Sequence, residues 1–218
     1  MGTRTADHLD AIAHLPDGAT LVIHQVTWDE YEGLLDDLSE RPNLRVSYDR
    51  GRLEIMSPTP EHEKYARFID DVVRALADRL TLNVEKVGSA TWKRRSLARG
   101  AEPDACYYVR NANRVIGKRQ IDLESDPPPD IVVEIDVTNE SLSKFPIYAA
   151  LAVPEIWRYD GGTALFYELA GGTYREISES RFFPRLSPAI LAAALEQSKS
   201  EGQTAALTAF RRRLQDLY

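Results

Sequence analysis

Apolar residues recur along this chain with two periods, and the changes of period mark out its elements. Tyr31, Leu34, Leu35 and Leu38 follow helical spacing behind Thr27, and Glu30, three residues after that threonine, completes a capping-box pattern. Residues 45–48 and 52–56 alternate around Asp49-Arg50-Gly51, the pattern of a β-hairpin. Ser57-Pro58-Thr59-Pro60 interrupts the chain, and a long helix is expected over 61–80, with Tyr65, Phe68, Ile69, Val72, Val73, Leu76 and Leu80 on one face. Strands are expected at 83–87, 105–109 and 131–137, the last two separated by Pro127-Pro128-Pro129. A helix over 147–151 follows, with Pro146 tolerated in its first turn. Strands at 155–159, 164–168 and 174–177 come next, and the chain reads as helical from Pro188 onward. This order implies an α/β fold with a mixed central sheet flanked by helices, preceded by an N-terminal helix and a hairpin. It is expected as an extension over 1–24, a domain over 25–187 and a C-terminal helical segment over 188–218 packed on that domain.

Composition narrows the class. With 218 residues, 43% hydrophobic and 28% charged, the chain can bury a full core. The single Cys106 supplies neither an internal disulfide nor a cysteine-rich zinc site. No signal or myristoylation pattern opens the chain, and no apolar run approaches the ~20 residues of a membrane helix, so a soluble cytoplasmic protein without a membrane partner is expected. Dinucleotide and phosphate-binding glycine loops, zinc-protease histidine pairs and serine-hydrolase elbows are all absent, and the four histidines are scattered.

The net charge of −7 is unevenly spread. Residues 86–119 carry nine basic side chains against Glu102 and Asp104, a local +7. Residues 120–143 then carry seven acids and no base. Such a juxtaposition suits a phosphate-binding rim around a metal centre, and equally suits solvated loops that pair with each other.

The strand expected over 131–137 is the most informative stretch. Alternation puts Ile131, Val133, Ile135 and Val137 on one face, and Asp130, Val132, Glu134 and Asp136 on the other. Glu134 and Asp136 would lie roughly 6–7 Å apart on that face, where like charges raise one another's pKa unless a cation intervenes. A half-exposed strand with an acidic outer face would show the same pattern. Asp104 follows Pro103 at the mouth of the preceding strand, as a turn aspartate or as a second acid beside Glu134. Lys144 stands before a helix start, where the dipole disfavours a cation unless carboxylates are near.

Pro-Asp, a spacer, then Glu and a nearby Lys resembles the PD-(D/E)XK phosphodiesterase superfamily. More narrowly, the chain resembles the Uma-type restriction-endonuclease-like family. The resemblance rests on five ordered segments: Met56-Ser57-Pro58-Thr59-Pro60-Glu61-His62, Glu102-Pro103-Asp104, the run from Pro129 to Ile135, Lys144-x-x-x-Tyr148, and Val153-Pro154-Glu155-Ile156-Trp157. It implies a restriction-endonuclease-like fold and a metal-dependent endonuclease acting on DNA. Asp104, Glu134 and Lys144 would be catalytic, and Asp104 and Glu134 would hold Mg²⁺ or Mn²⁺. The motif's usual lysine position is Asp136 here, so the resemblance implies that the lysine has moved to Lys144. His62 and Asp136 are accessory candidates. Lys93, Arg94 and Arg95 would grip the nucleic-acid backbone, and self-association into a homodimer is left open. A binding module without catalysis, or a hydrolase of RNA or a smaller phosphodiester, are the alternatives.

Overall fold

The structure is a computed structural model that describes residues 9, 11–38, 44–88, 90–137 and 141–218. Of the extension expected over 1–24, residues 1–8 and 10 lie outside the described residues. The described strands form two sheets. A five-stranded antiparallel sheet runs β1 (Thr20–His24), β3 (Arg52–Met56), β2 (Arg45–Asp49), β6 (Arg99–Ala101), β5 (Trp92–Arg94). A six-stranded sheet runs β11 (Thr173–Ile177), β10 (Ala164–Ala170), β9 (Glu155–Tyr159), β8 (Ile131–Ile135), β7 (Ala105–Tyr108), β4 (Glu85–Lys86). Only β8 and β9 are parallel among its pairs, so it is the mixed sheet that the element order implied.

Local chemistry sets the elements. Helix α1 (Trp28–Asp37) starts in a complete capping box: Thr27 Oγ1 accepts from the Glu30 amide, and the Glu30 carboxylate accepts from the Thr27 amide at 2.7 Å. The β2–β3 hairpin pairs Arg45 with Met56, and its turn places Arg50 and Gly51 at positive φ, as a two-residue turn of this twist requires. Helix α2 (Pro60–Leu80) begins with Thr59 as cap and Pro60 in its first turn. Gly100 in β6 is sterically required, because a Cβ there would collide with the Tyr31 hydroxyl of α1.

The central sheet is covered on both sides. One face packs against α2, α5 (Pro188–Glu201) and α6 (Gln203–Leu217), with Ile131, Val133 and Ile135 buried among Phe68, Ile69, Val72 and Leu191. The other holds Val132 and Ile156 against Ile147 and Tyr148 of α4 (Phe145–Ala150) and against Trp92 and Ala101 of the five-stranded sheet. A short helix, α3 (Ala112–Val115), follows β7. Every residue of β8 is buried, so a half-exposed strand with an acidic outer face does not describe it. No helix of the described residues is long and apolar enough to cross a membrane.

The join between the sheets decides the site. β6 ends at Ala101, the Glu102 amide still bonds Val46 O in the first sheet, and the Asp104 amide already bonds Val133 O in the second. Pro103, which has no amide hydrogen, sits between them. Asp104 therefore lies where the chain crosses from one sheet to the other.

Candidate active site

The register Ala105↔Val133 sets Asp104 opposite Glu134 across the β7–β8 ladder. Paired positions on an antiparallel ladder share a face. The Asp104 carboxylate is locked in place by the Ile135 amide, 2.8 Å from Oδ2. Its other contacts come from the first sheet and from α2. Arg45 Nε approaches Oδ1 at 3.3 Å, and His62 Nε2 lies 3.1 Å from Oδ2. Neither nitrogen of His62 makes an aligned hydrogen bond within the described residues, so the contact is an ion pair only when the ring is protonated. His62 belongs to the first turn of α2.

Glu134 is held from the opposite direction. Lys144 Nζ donates to Oε2 at 2.7 Å, and the Tyr148 hydroxyl donates to Oε1. Lys144 ends a 3₁₀ turn (Ser141–Lys144) and Tyr148 lies one helical turn on, so the four-residue spacing points both at one carboxylate. Asp104, Glu134, His62 and Lys144 are all buried. Burial pushes the Glu134 carboxyl up to about 7, the Asp104 charge adds to the rise, and Lys144 opposes it. Asp104 goes the other way: burial would raise it, but His62, Lys144 and Arg45 together bring it below its ordinary range. For Lys144, burial would favour the neutral amine, yet the Glu134 and Asp104 charges outweigh it and the net direction is upward. It is a fixed ammonium near neutral pH.

Asp104, Glu134, Lys144 and His62 are thus brought together. Asp136 is engaged by the next strand. Its carboxylate accepts from Arg158 Nε of β9. Lys93, Arg94 and Arg95 are engaged elsewhere: Lys93 Nζ pairs with Glu32 at 2.9 Å, Arg94 donates to Leu123 O, and Arg95 bridges Asp29 and Glu32. These contacts leave that trio outside the buried acid pair, and the acids that hold Lys93 and Arg95 belong to α1 and not to the acidic segment 120–143. Sequence reasoning missed Arg45, which is 3% exposed and also pairs with Glu63 of α2. Fifty-nine residues separate Arg45 from Asp104, and nothing local signals the contact. It also treated Tyr148 as spacing alone, although a residue four after a lysine on a helix shares its face.

A family model described as "putative restriction endonuclease", Uma2, matches residues 28–199. The chain belongs to that family. A crystal structure from Anabaena variabilis ATCC 29413, described as "a putative nuclease belonging to DUF820", has a similar fold. Its TM-score is 0.50 at 14% identity, covering 74% of this chain and 98% of that one. At that identity the likeness concerns the fold alone, and it agrees with the restriction-endonuclease-like arrangement expected from the motif order. No curated protein matches the chain.

Asp104 and Glu134 are the oxygen donors that could hold a hard divalent cation. Among the described residues no three His, Cys, Asp or Glu side chains converge as a cage. Two facing carboxylates whose charges oppose one another are nevertheless what Mg²⁺ or Mn²⁺ takes, since these ions retain several waters.

Proposed function

We propose that the chain is a metal-dependent phosphodiesterase whose substrate is DNA, with Asp104 and Glu134 holding Mg²⁺ or Mn²⁺ and Lys144 acting beside them. One observation carries the reading: a like-charged, buried acid pair at facing strand positions, with an ammonium 2.7 Å from one member. Membership in a restriction-endonuclease family supports DNA over other phosphodiesters.

The bound ion would supply an activated water and neutralise charge on the phosphate. Asp104 is kept anionic by its cationic neighbours and oriented by the Ile135 amide, so it would be the stronger ligand. Glu134 is the adjustable one, because its carboxyl titrates near neutrality. Lys144, charged throughout, cannot serve as a general base. Its role is to stabilise negative charge as the phosphorus becomes five-coordinate. Tyr148, whose ionisation is suppressed by burial and by the Glu134 charge, keeps its proton and steadies Glu134 Oε1. Backbone contact through Lys93 and Arg95 requires both to leave Glu32 and Asp29 for phosphate oxygens.

The test is cleavage of plasmid and oligonucleotide DNA and RNA with Mg²⁺, with Mn²⁺ and with chelator. Metal-stimulated cutting by the parent, lost in Glu134→Gln, is the expected result. A second reading, a binding module of the same fold, is favoured by the depth of the pair, whose side chains are 0% and 1% exposed. DNA retained without cleavage under every metal condition would establish it in place of the first.

A further inference from the structure

The Arg45 guanidinium stands between two carboxylates that approach from different elements. Nε is 3.3 Å from Asp104 Oδ1, Nη2 contacts Glu63 Oε1 in the first turn of α2, and Nη1 lies 3.4 Å from Leu44 O. Glu63 is 35% exposed at its side chain, whereas Arg45 and Asp104 are at 3% and 0%. A permanent cation is therefore built in between Asp104 and the first turn of α2. Hydrolysis at phosphodiester centres commonly uses two divalent ions that share a carboxylate. Asp104 has that shared position here. On one flank of it Glu134 faces it across the β7–β8 ladder, and on the other stands an arginine that never loses its proton.

We infer that Arg45 takes the place of a second divalent ion, so that the Asp104–Glu134 site binds one Mg²⁺ or Mn²⁺ per chain, and Asp104 with Glu63 forms a latent second ion site that Arg45 occupies. The inference rests on the proposed metal site and goes beyond it by fixing the ion count and naming the residue that sets it. Arg45 is a charge-compensating residue, because a guanidinium can neutralise the two acids but cannot ionise a water. The chemistry of the vacated position is defined by the same contacts. Without the guanidinium, the two carboxylates and the backbone carbonyl oxygen of Leu44 that now surround its three nitrogens remain, an all-oxygen set of the kind hard cations select.

Ion count distinguishes this from a purely structural buried arginine, whose replacement would alter folding without altering stoichiometry. The experiment is Mn²⁺ titration of the purified full chain by calorimetry, with electron paramagnetic resonance of the bound ion. The parent should bind a single Mn²⁺ per chain and show an isolated-ion spectrum. Two ions, or an exchange-coupled pair, in the parent overturn the inference with no variant needed. Arg45→Gln, confirmed as folded by circular dichroism, should bind two Mn²⁺ with a coupled spectrum. Arg45→Lys, which restores the charge, should return the count to one. A folded Arg45→Gln that still binds one ion overturns the inference while leaving the proposed metal site standing. If Arg45→Gln does not fold, Arg45→Gln with Glu63→Gln removes both the cation and the exposed acid, and its count must remain one. Any second ion there overturns the inference. No Mn²⁺ bound by the parent overturns the metal site itself, and this inference with it.

Discussion

Lys144→Met probes the site most directly, because burial makes its consequence depend on pH. In the parent, Glu134 sits at about 7, and Lys144 is the strongest influence holding it down. Removing the ammonium leaves burial and the Asp104 charge opposed only by the Tyr148 hydrogen bond, the smallest of the influences on this group, so the carboxyl rises further and is neutral at pH 7. Two losses follow together: the transition state loses its fixed cation, and the metal loses an anionic ligand. Cleavage should fall about a hundredfold or more, and Mn²⁺ binding should weaken at pH 7 and recover in part as pH rises. Stability gives an independent readout. Removing one member of a buried ion pair costs about 3–5 kcal/mol when the survivor stays charged. Below pH 6 Glu134 escapes that cost by taking a proton, and the loss shrinks to that of a charged hydrogen bond, about 1.5–3 kcal/mol. The sign follows from linkage. A carboxyl raised in the folded state contributes stability that is lost as pH climbs from its ordinary value of 4.5 toward the folded one. The parent has lost it by about pH 7, whereas the variant goes on losing it at higher pH. The gap in Tm between parent and variant should thus widen by about 4–8 °C from pH 6 to pH 9, taking ~2 kcal/mol and ~2–4 °C per kcal/mol for a chain of this size. Thermal unfolding at both pH values, beside a metal-dependent cleavage assay, measures both effects. A gap that stays constant with pH, or cleavage within threefold of the parent, refutes the argument.

Other expectations are more local. Glu32→Gln releases Lys93 from its ion pair and leaves Arg95 paired with Asp29 alone, so filter-binding affinity for DNA should increase and the salt slope should steepen by about one for the freed lysine; an unchanged slope assigns Lys93 to internal pairing alone. Asp130→Ala removes a buried carboxylate that accepts from the Val109 and Asn111 amides and the Asn111 side chain, and should cost about 3 kcal/mol or more by denaturant unfolding, with Asp130→Asn milder. Thr27→Ala, which breaks the capping box, should cost about 1 kcal/mol in the same assay and leave cleavage unchanged.

How much of this was legible in the sequence depends on how local each signal is. The Thr27 cap, the hairpin with its Arg50-Gly51 turn and the apolar face of α2 are decided within a few residues, and all are present. The alternation in β8 correctly separated Ile131, Val133 and Ile135 from Val132. The strand expected over 83–87 contracts to Glu85–Lys86, and the C-terminal helix breaks at Gly202, where φ is 89°. β5 and β6 were invisible. Each is three residues long, and the basic run that contains them has no period of two, so pairing of β6 with β2 and of β5 with β6, and not local propensity, makes them strands. β1 was missed for the same reason, since its partner β3 lies some thirty residues on. Five of the strands therefore assemble into a second sheet where one central sheet was expected. The acid pair and its lysine were readable through an ordered motif, whereas Arg45 was not, because its partners come from β-sheet crossing and the start of α2.

The displaced lysine accounts for the neighbouring residues. In the simple motif the lysine occupies the strand position that Asp136 takes here, two residues after Glu134 and on the same face. A third acid at that point would worsen the repulsion already felt by Glu134. Arg158 prevents this: it stands opposite Glu134 on the parallel strand β9 and holds the Asp136 carboxylate through Nε. The chain between β8 and β9 must cross over one face of the sheet, as a parallel connection requires. That face carries Val132, and Tyr148 of the crossing helix packs into the same cluster. Lys144 and Tyr148 thus descend on Glu134 from above, at the position a strand lysine would reach from alongside. Asp136→Asn consequently removes a charge that Arg158 already neutralises, and should slow cleavage at least tenfold less than Lys144→Met does in the same assay. The opposite ranking would place the functional carboxylate at Asp136 and leave the Lys144–Glu134 pair as a buried structural ion pair.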